Sequence, residues 1–167
     1  IVSTQSTFFL GATPTTNELV ITEIMANPSP TQGLPEVEYL EVYNTSTKIL
    51  SLDGLTLSDL TGATSLPDVN VQPGAYLLLT SSSNASLFSG IDVAGVSSFP
   101  SLNTSGDSLA IGDAASNLIF DVVYTTDWYG DDTKAAGGYS LEMINPSPAC
   151  YDVSNWTATN NSNGGTP

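Results

Sequence analysis

Glu36-Val-Glu-Tyr-Leu-Glu-Val-Tyr-Asn44, followed by Leu52-Asp-Gly-Leu-Thr-Leu-Ser-Asp59, decides the fold of this chain. Leu40 and Val42 alternate with Tyr39, Glu41 and Tyr43. A period of two is that of a β-strand with one apolar face, here opposed by a face carrying a carboxylate between two phenols. Glu41 is therefore expected on a hydrogen-bonded, solvated sheet face, and it is also a candidate ligand contact. Asn44-Thr-Ser supplies a turn, and Leu55 and Leu57 restart the alternation.

Outward from this block, short strands are predicted over 19–25, 37–43, 55–58, 75–80, 108–111, 118–124 and 139–143. Turn-forming sequences separate them: Pro28-Ser-Pro, Asp53-Gly, Thr61-Gly, Pro73-Gly, Gly112-Asp and Gly137-Gly. Phe120, Val122 and Tyr124 share one face, with Asp121 and Val123 on the other. Leu109 and Ile111 flank Ala110, and Tyr139, Leu141 and Met143 oppose Ser140 and Glu142. No segment holds a helical period; residues 85–88 make at most one turn. Many short strands and no helix of length predict an all-β sandwich of mostly antiparallel strands.

Further motifs fall in a fixed order. Leu19-Val-Ile-Thr-Glu-Ile-Met-Ala-Asn-Pro28 comes first, then Glu38 to Asn44. Next are Gln72-Pro-Gly-Ala-Tyr-Leu-Leu-Leu-Thr80, Gly106-Asp-Ser-Leu109 and Asn117 to Tyr124. Gly138 to Met143, Asn155-Trp-Thr157 and Gly165-Thr-Pro167 close the series. In this order the blocks resemble the lamin-tail domain, in the form found in secreted and cell-surface bacterial proteins. The resemblance spans residues 19–167 and implies an immunoglobulin-like β-sandwich. Leu55 departs from it, standing where the family usually has an aromatic residue. Residues 1–18 precede it and are expected to be an arm or linker. The glycine that normally follows Gly-Thr-Pro is missing, so a piece of a longer protein is expected.

Composition limits function. The chain has 167 residues, a net charge of −15, two basic side chains (Lys48 and Lys134) and no Arg. Such a surface repels phosphate, so nucleic acid is not an expected partner, nor is an anionic membrane surface. Ile1-Val2 begins no basic, long apolar leader, and apolar runs are of strand length, so neither a signal peptide nor membrane insertion is expected. Ser, Thr, Asn and Gly do most of the solvation, which suits a secreted or cell-surface module. Cys150 stands alone and is read as a packing residue.

The chain contains no His. Ser-His-Asp catalysis and His-ligated zinc are thereby removed, and no enzyme is expected. Gly106-Asp-Ser-Leu109 spells a lipase signature, but its Ser enters an apolar strand rather than a strand-to-helix turn. Carboxylates are the remaining chemistry. Glu38 and Glu41 differ in parity and face opposite ways. Asp127-Trp-Tyr-Gly-Asp-Asp132 gathers Asp127, Asp131 and Asp132, candidate ligands for Ca²⁺, a hard ion that takes six to eight oxygens. Trp128 and Tyr129 in the same loop are candidates for stacking on a sugar, or else cover for the end of the sandwich.

Three functions remain in view. The first is a non-catalytic extracellular or cell-surface module for adhesion, spacing or protein interaction. The second is a carbohydrate-binding module with a structural calcium ion, and the third a carboxylate-only hydrolase. Partners are expected to be protein or glycan. Trp156 is expected to pack on the sandwich and anchor an otherwise loose polar tail. Phe8-Phe-Leu10 in the arm is expected to pair with a sheet edge or to dock on a second copy.

Overall fold

The computed structural model describes residues 10–146 and 152–167. Its strands are β1 (Leu19–Met25), β2 (Tyr39–Asn44), β3 (Leu50–Ser51), β4 (Thr56–Ser58), β5 (Ala63–Ser65) and β6 (Asn70–Val71). They continue with β7 (Tyr76–Ser81), β8 (Val93–Val96), β9 (Gly106–Gly112), β10 (Leu118–Thr125), β11 (Leu141–Met143) and β12 (Trp156–Ala158). One short helix, α1 (Asp132–Ala135), and 3₁₀ turns at Ala85–Leu87, Thr126–Tyr129 and Val153–Asn155 complete the described elements.

Two main sheets make an immunoglobulin-like sandwich. The larger runs β12-β11-β1-β2-β7-β8, and the smaller β10-β9-β4-β5, with β3 and β6 paired apart. Every pairing between named strands is antiparallel except β7 with β8. The alternation seen in the sequence fills the space between the sheets. Ile21, Ile24, Leu40, Val42, Leu77 and Leu79 meet Leu57, Leu109, Ile111, Phe120, Val122 and Tyr124 in one buried cluster. Asp121 and Val123 point outward, as their parity requires.

The other face of the large sheet is partly covered. Met25, Tyr39, Leu78 and Phe88 form a second buried cluster there, with Leu34, Val37 and Val93 against it. Tyr39 meets Phe88 edge to face, with ring centroids 5.6 Å apart. β1 is thus covered on both faces, and all seven of its residues are buried. This corrects the expectation of an open polar face around Glu41. Alternation marks which side chains share a face, but not whether a distant segment later covers it.

The covering segment is the chain's last stretch. Ser140 N–H donates to Gly164 O at 2.8 Å and Leu34 N–H to Asn163 O at 3.2 Å, so this stretch lies along the sheet. Gly165 is required by close approach: a Cβ there would stand 2.3 Å from the Tyr39 hydroxyl oxygen. Trp156 is buried and packs against Trp128 at 5.8 Å between centroids.

At the other end, attachment begins at Ala12, which forms a parallel bridge with Leu50. Asn17 N–H donates to Ile119 O at 2.7 Å, tying the stretch before β1 to β10. The pairing of this part of the arm is therefore within one chain. Leu10 is 94% exposed; Phe8, Phe9 and Cys150 lie outside the described residues.

Candidate functional site

A β-bulge builds the site. Ile21 pairs with Val42 and Glu23 with Glu41, leaving Thr22 as the extra residue of β1. An inserted residue resets the alternation, so that Ile21 and Ile24 both reach the inner core while Glu23 lies opposite Glu41 on the outer face. Thr22 donates its hydroxyl to Glu41 Oε1 at 2.7 Å. On the other side, β11 sets Glu142 opposite Glu23. Three glutamates therefore stand in one transverse row, Glu142–Glu23–Glu41, which continues into Leu78 of β7.

Like charges directly opposite one another on a sheet oppose folding. Here two of the three are also buried, Glu23 at 1% and Glu41 at 6% exposure. Burial pushes each of these carboxyls up to about 7, because a low-dielectric surround penalises the charged form. Hydrogen bonds from Tyr39 to Glu23 and from Thr22 to Glu41 pull the other way without cancelling it. The Tyr39 phenol, buried and facing Glu23, is raised as well. Its hydroxyl donates to Glu23 Oε1 at 2.5 Å, and Thr166 N–H adds a second donor at 3.1 Å. Thr166 Oγ1 donates to Glu142 Oε1 at 2.8 Å.

The row floors a cleft of about 820 Å³. The loop Gly90-Ile-Asp92 and Tyr76 bound one side, and Met143, Pro146 and Thr166 the other. Glu38, one parity removed from Glu41, is not among the lining residues.

Gly165 tests this construction. Gly165→Ala is expected to push the closing segment off Tyr39 and Glu23, costing about 1–3 kcal/mol, as overpacking of a tight site does. Urea unfolding checks it; an unchanged midpoint would mean that the segment lies loosely over the row.

The loop carrying the other sequence candidates has a structural use for most of them. Asp131 caps α1, its Oδ1 accepting from Thr133 N–H at 2.8 Å and Lys134 N–H at 3.2 Å. Asp127, Asp131 and Asp132 line a shallow groove of about 460 Å³. Among the described residues, no group of three or more His, Cys, Asp or Glu side chains is placed to hold a metal ion. Tyr129 is buried in the core cluster, and Trp128 packs against that cluster and Trp156. Both aromatic residues thus cover the end of the sandwich. Ser108 sits within β9, and neighbouring Asp107 accepts from Asn103 Nδ2 at 2.8 Å.

Of the candidates read from the sequence, Glu41 alone lies in the cleft; Glu23, Glu142 and Thr166 join it from elsewhere in the chain. Glu142 shares the parity of Ser140 opposite Leu141, so its outward aim was readable. Its place beside Glu23 depends on the pairing of strands more than a hundred residues apart, which no local pattern contains.

No curated protein matches the chain. A family model, that of the Lamin Tail Domain, matches residues 12–127, from the Ala12 bridge through β10 to the start of the Asp127 loop. With more than half its length matched and the sandwich formed, the chain belongs to the Lamin Tail Domain family.

Proposed function

We propose that this domain is a non-catalytic interaction module, secreted or carried on a bacterial cell surface, which attaches a larger protein to protein or glycan partners. The observation that carries this reading is the use made of the polar residues in the family motifs. Glu23, Tyr39 and Asn44 are buried and hydrogen-bonded within the fold. Ser108 of the lipase-like tetrapeptide is held in a strand, and the sequence has no His to activate it. The family and the sandwich support a binding scaffold; the acidic, Ser/Thr/Asn-rich surface supports an extracellular setting.

Deletion of the domain from its parent protein tests the reading. Surface attachment is expected to fall while any catalytic activity of neighbouring domains persists. Unchanged attachment would overturn it. Turnover of glycoside or ester substrates by the isolated domain, lost in Glu41→Gln, would replace it with the hydrolase reading. Retardation in polysaccharide gels would identify the partner as glycan.

A further inference from the structure

We infer that residues 165–167 form a strap, closed over the carboxylates of Glu23 and Glu142 in acid and released from them as pH rises toward neutrality. This goes beyond the interaction-module reading and concerns the domain alone.

The last stretch of chain is held in two different ways. Up to Gly164 its bonds run to backbone groups that do not titrate: Leu34 N–H donates to Asn163 O at 3.2 Å and Ser140 N–H to Gly164 O at 2.8 Å. Beyond Gly164 the hydrogen bonds among the described residues are the two made by Thr166, and both end on carboxylates. Its N–H reaches Glu23 Oε1 at 3.1 Å, and its hydroxyl reaches Glu142 Oε1 at 2.8 Å. Between anchor and latch, Gly164 takes a φ of 89°, a turn that favours glycine. Gly165 then lies so close over Glu23 that a Cβ there would stand 2.5 Å from Oε1. The strap therefore keeps water from a carboxyl whose residue is 1% exposed.

Charge decides when the latch lets go. Facing the Glu23 carboxyl are Tyr39 and Glu41 from β2 and Glu142 from β11, and Asp92 lines the same cleft from the loop before β8. None of these supplies a positive charge. The chain's two basic side chains are committed elsewhere: Lys48 pairs with Glu18 at 2.6 Å, and Lys134 donates to Thr159 O at 2.6 Å and Asn160 Oδ1 at 2.8 Å. With the strap closed, burial holds Glu23 to about 7 against an ordinary 4.5, although Tyr39 and Thr166 donate to its charged form. With the strap lifted, water reaches the carboxyl and the proton is held less tightly. The closed state thus binds more protons. Closure is full below about 4.5 and weakens as pH climbs to about 7. Lifting also uncovers Leu34 and the Tyr39 hydroxyl, which lie beside Gly165, so the cleft widens at Glu23.

Amide hydrogen exchange, followed by NMR on the whole domain and corrected for the intrinsic effect of pH, tests this. Protection of the Thr166 amide is expected to fall by at least about tenfold between pH 5 and 7.5, the effect of recovering one pKa unit on opening. Amides of β2, at the centre of the sheet, exchange only when the whole fold opens, and they are expected to stay better protected than Thr166 throughout. Glu23→Gln, which cannot ionise, is expected to keep Thr166 equally protected across the range. Asp53→Asn, which removes a charge from an exposed turn, is expected to keep the native profile. Thr166 protection that ignores pH overturns the inference. So does protection equal to that of β2 at every pH, which would mean that the strap leaves only with the fold. A Glu23→Gln profile as steep as the native one overturns it too. Should that variant not fold, the comparison of Thr166 with β2 in the native chain still decides.

Discussion

The melting temperature of this domain is expected to rise as pH is lowered from 8 to 5, opposite to the usual behaviour of a carboxylate-rich protein. In the unfolded chain Glu23 and Glu41 lose their protons near 4.5, whereas in the fold burial holds them to about 7. Between those values the folded state binds more protons, so stability falls as pH rises. Their contribution is full below about 4.5 and is lost by the time pH has passed about 7. One such group alone is worth about 3 kcal/mol across this window. The two are neighbours and titrate as a pair. Self-repulsion of the net charge of −15 acts in the same direction as protons are lost. At lower pH, Glu18, Asp59, Asp113 and Asp152 have lowered pKa values and oppose the trend. The Glu23→Gln/Glu41→Gln double variant is expected to flatten the profile between pH 5 and 7. Thermal unfolding in a constant-ionic-strength buffer series checks both. A melting temperature that climbs with pH in the native chain would show the row to be fully ionised in the fold.

Trp156→Ala is expected to cost roughly 3–5 kcal/mol, the range for removing a buried large aromatic residue. For a domain of this size that is a drop in melting temperature of roughly 10 °C. Trp156 is buried, pairs opposite Met143 in the β11–β12 ladder and packs on Trp128. Its loss empties the corner where β12 meets the 3₁₀ turn Thr126–Tyr129, and it loosens the anchor of the segment that closes over Glu23. Trp156→Phe is expected to recover most of the loss. A cost below 1 kcal/mol for the alanine variant would mean that β12 does not hold the edge of the sheet.

Much of this fold is legible in the sequence because its strands carry their own evidence. Leu19–Met25 forms as read from its apolar run, and the strands around Leu40, Leu109 and Phe120 form within a few residues of their alternating segments. Five strands escape such reading. Leu50–Ser51 and Asn70–Val71 are two-residue pairings, too short for any period to register. Ala63–Ser65 and Trp156–Ala158 are three residues each. Val93–Val96 holds a glycine and joins the sheet in parallel, through a connection that no turn sequence announces. α1 forms only one turn, begun by the Asp131 cap.

The candidate site is less legible for a different reason. Glu41 is visible as a carboxylate between two tyrosines, but its row is closed at Glu23 and Glu142 by Gly165 and Thr166, which show no strand pattern. The row depends on two pairings, one local and one across most of the chain. The carboxylates of the 127–132 loop, by contrast, are conspicuous because they are close in sequence, and closeness in sequence does not make them converge in space.

β1 occupies the centre of the large sheet, and the chain must travel almost its full length to complete that position. Ile24 pairs with Leu40 on one side and with Leu141 on the other. The Glu23–Thr166 hydrogen bond closes a separation of 143 residues. Joining such distant segments loses chain entropy before their contacts are made, so topologies of this kind fold slowly, on the millisecond-to-second scale. Until β11 docks, the β1–β2–β7 part of the sheet would present an open strand edge at β1, with Glu23 and Glu41 on it. Two carboxylates, Glu23 on that edge strand and Glu41 beside it, discourage another chain from pairing there. The same charges that weaken the finished fold at neutral pH thus guard its slowest intermediate against aggregation.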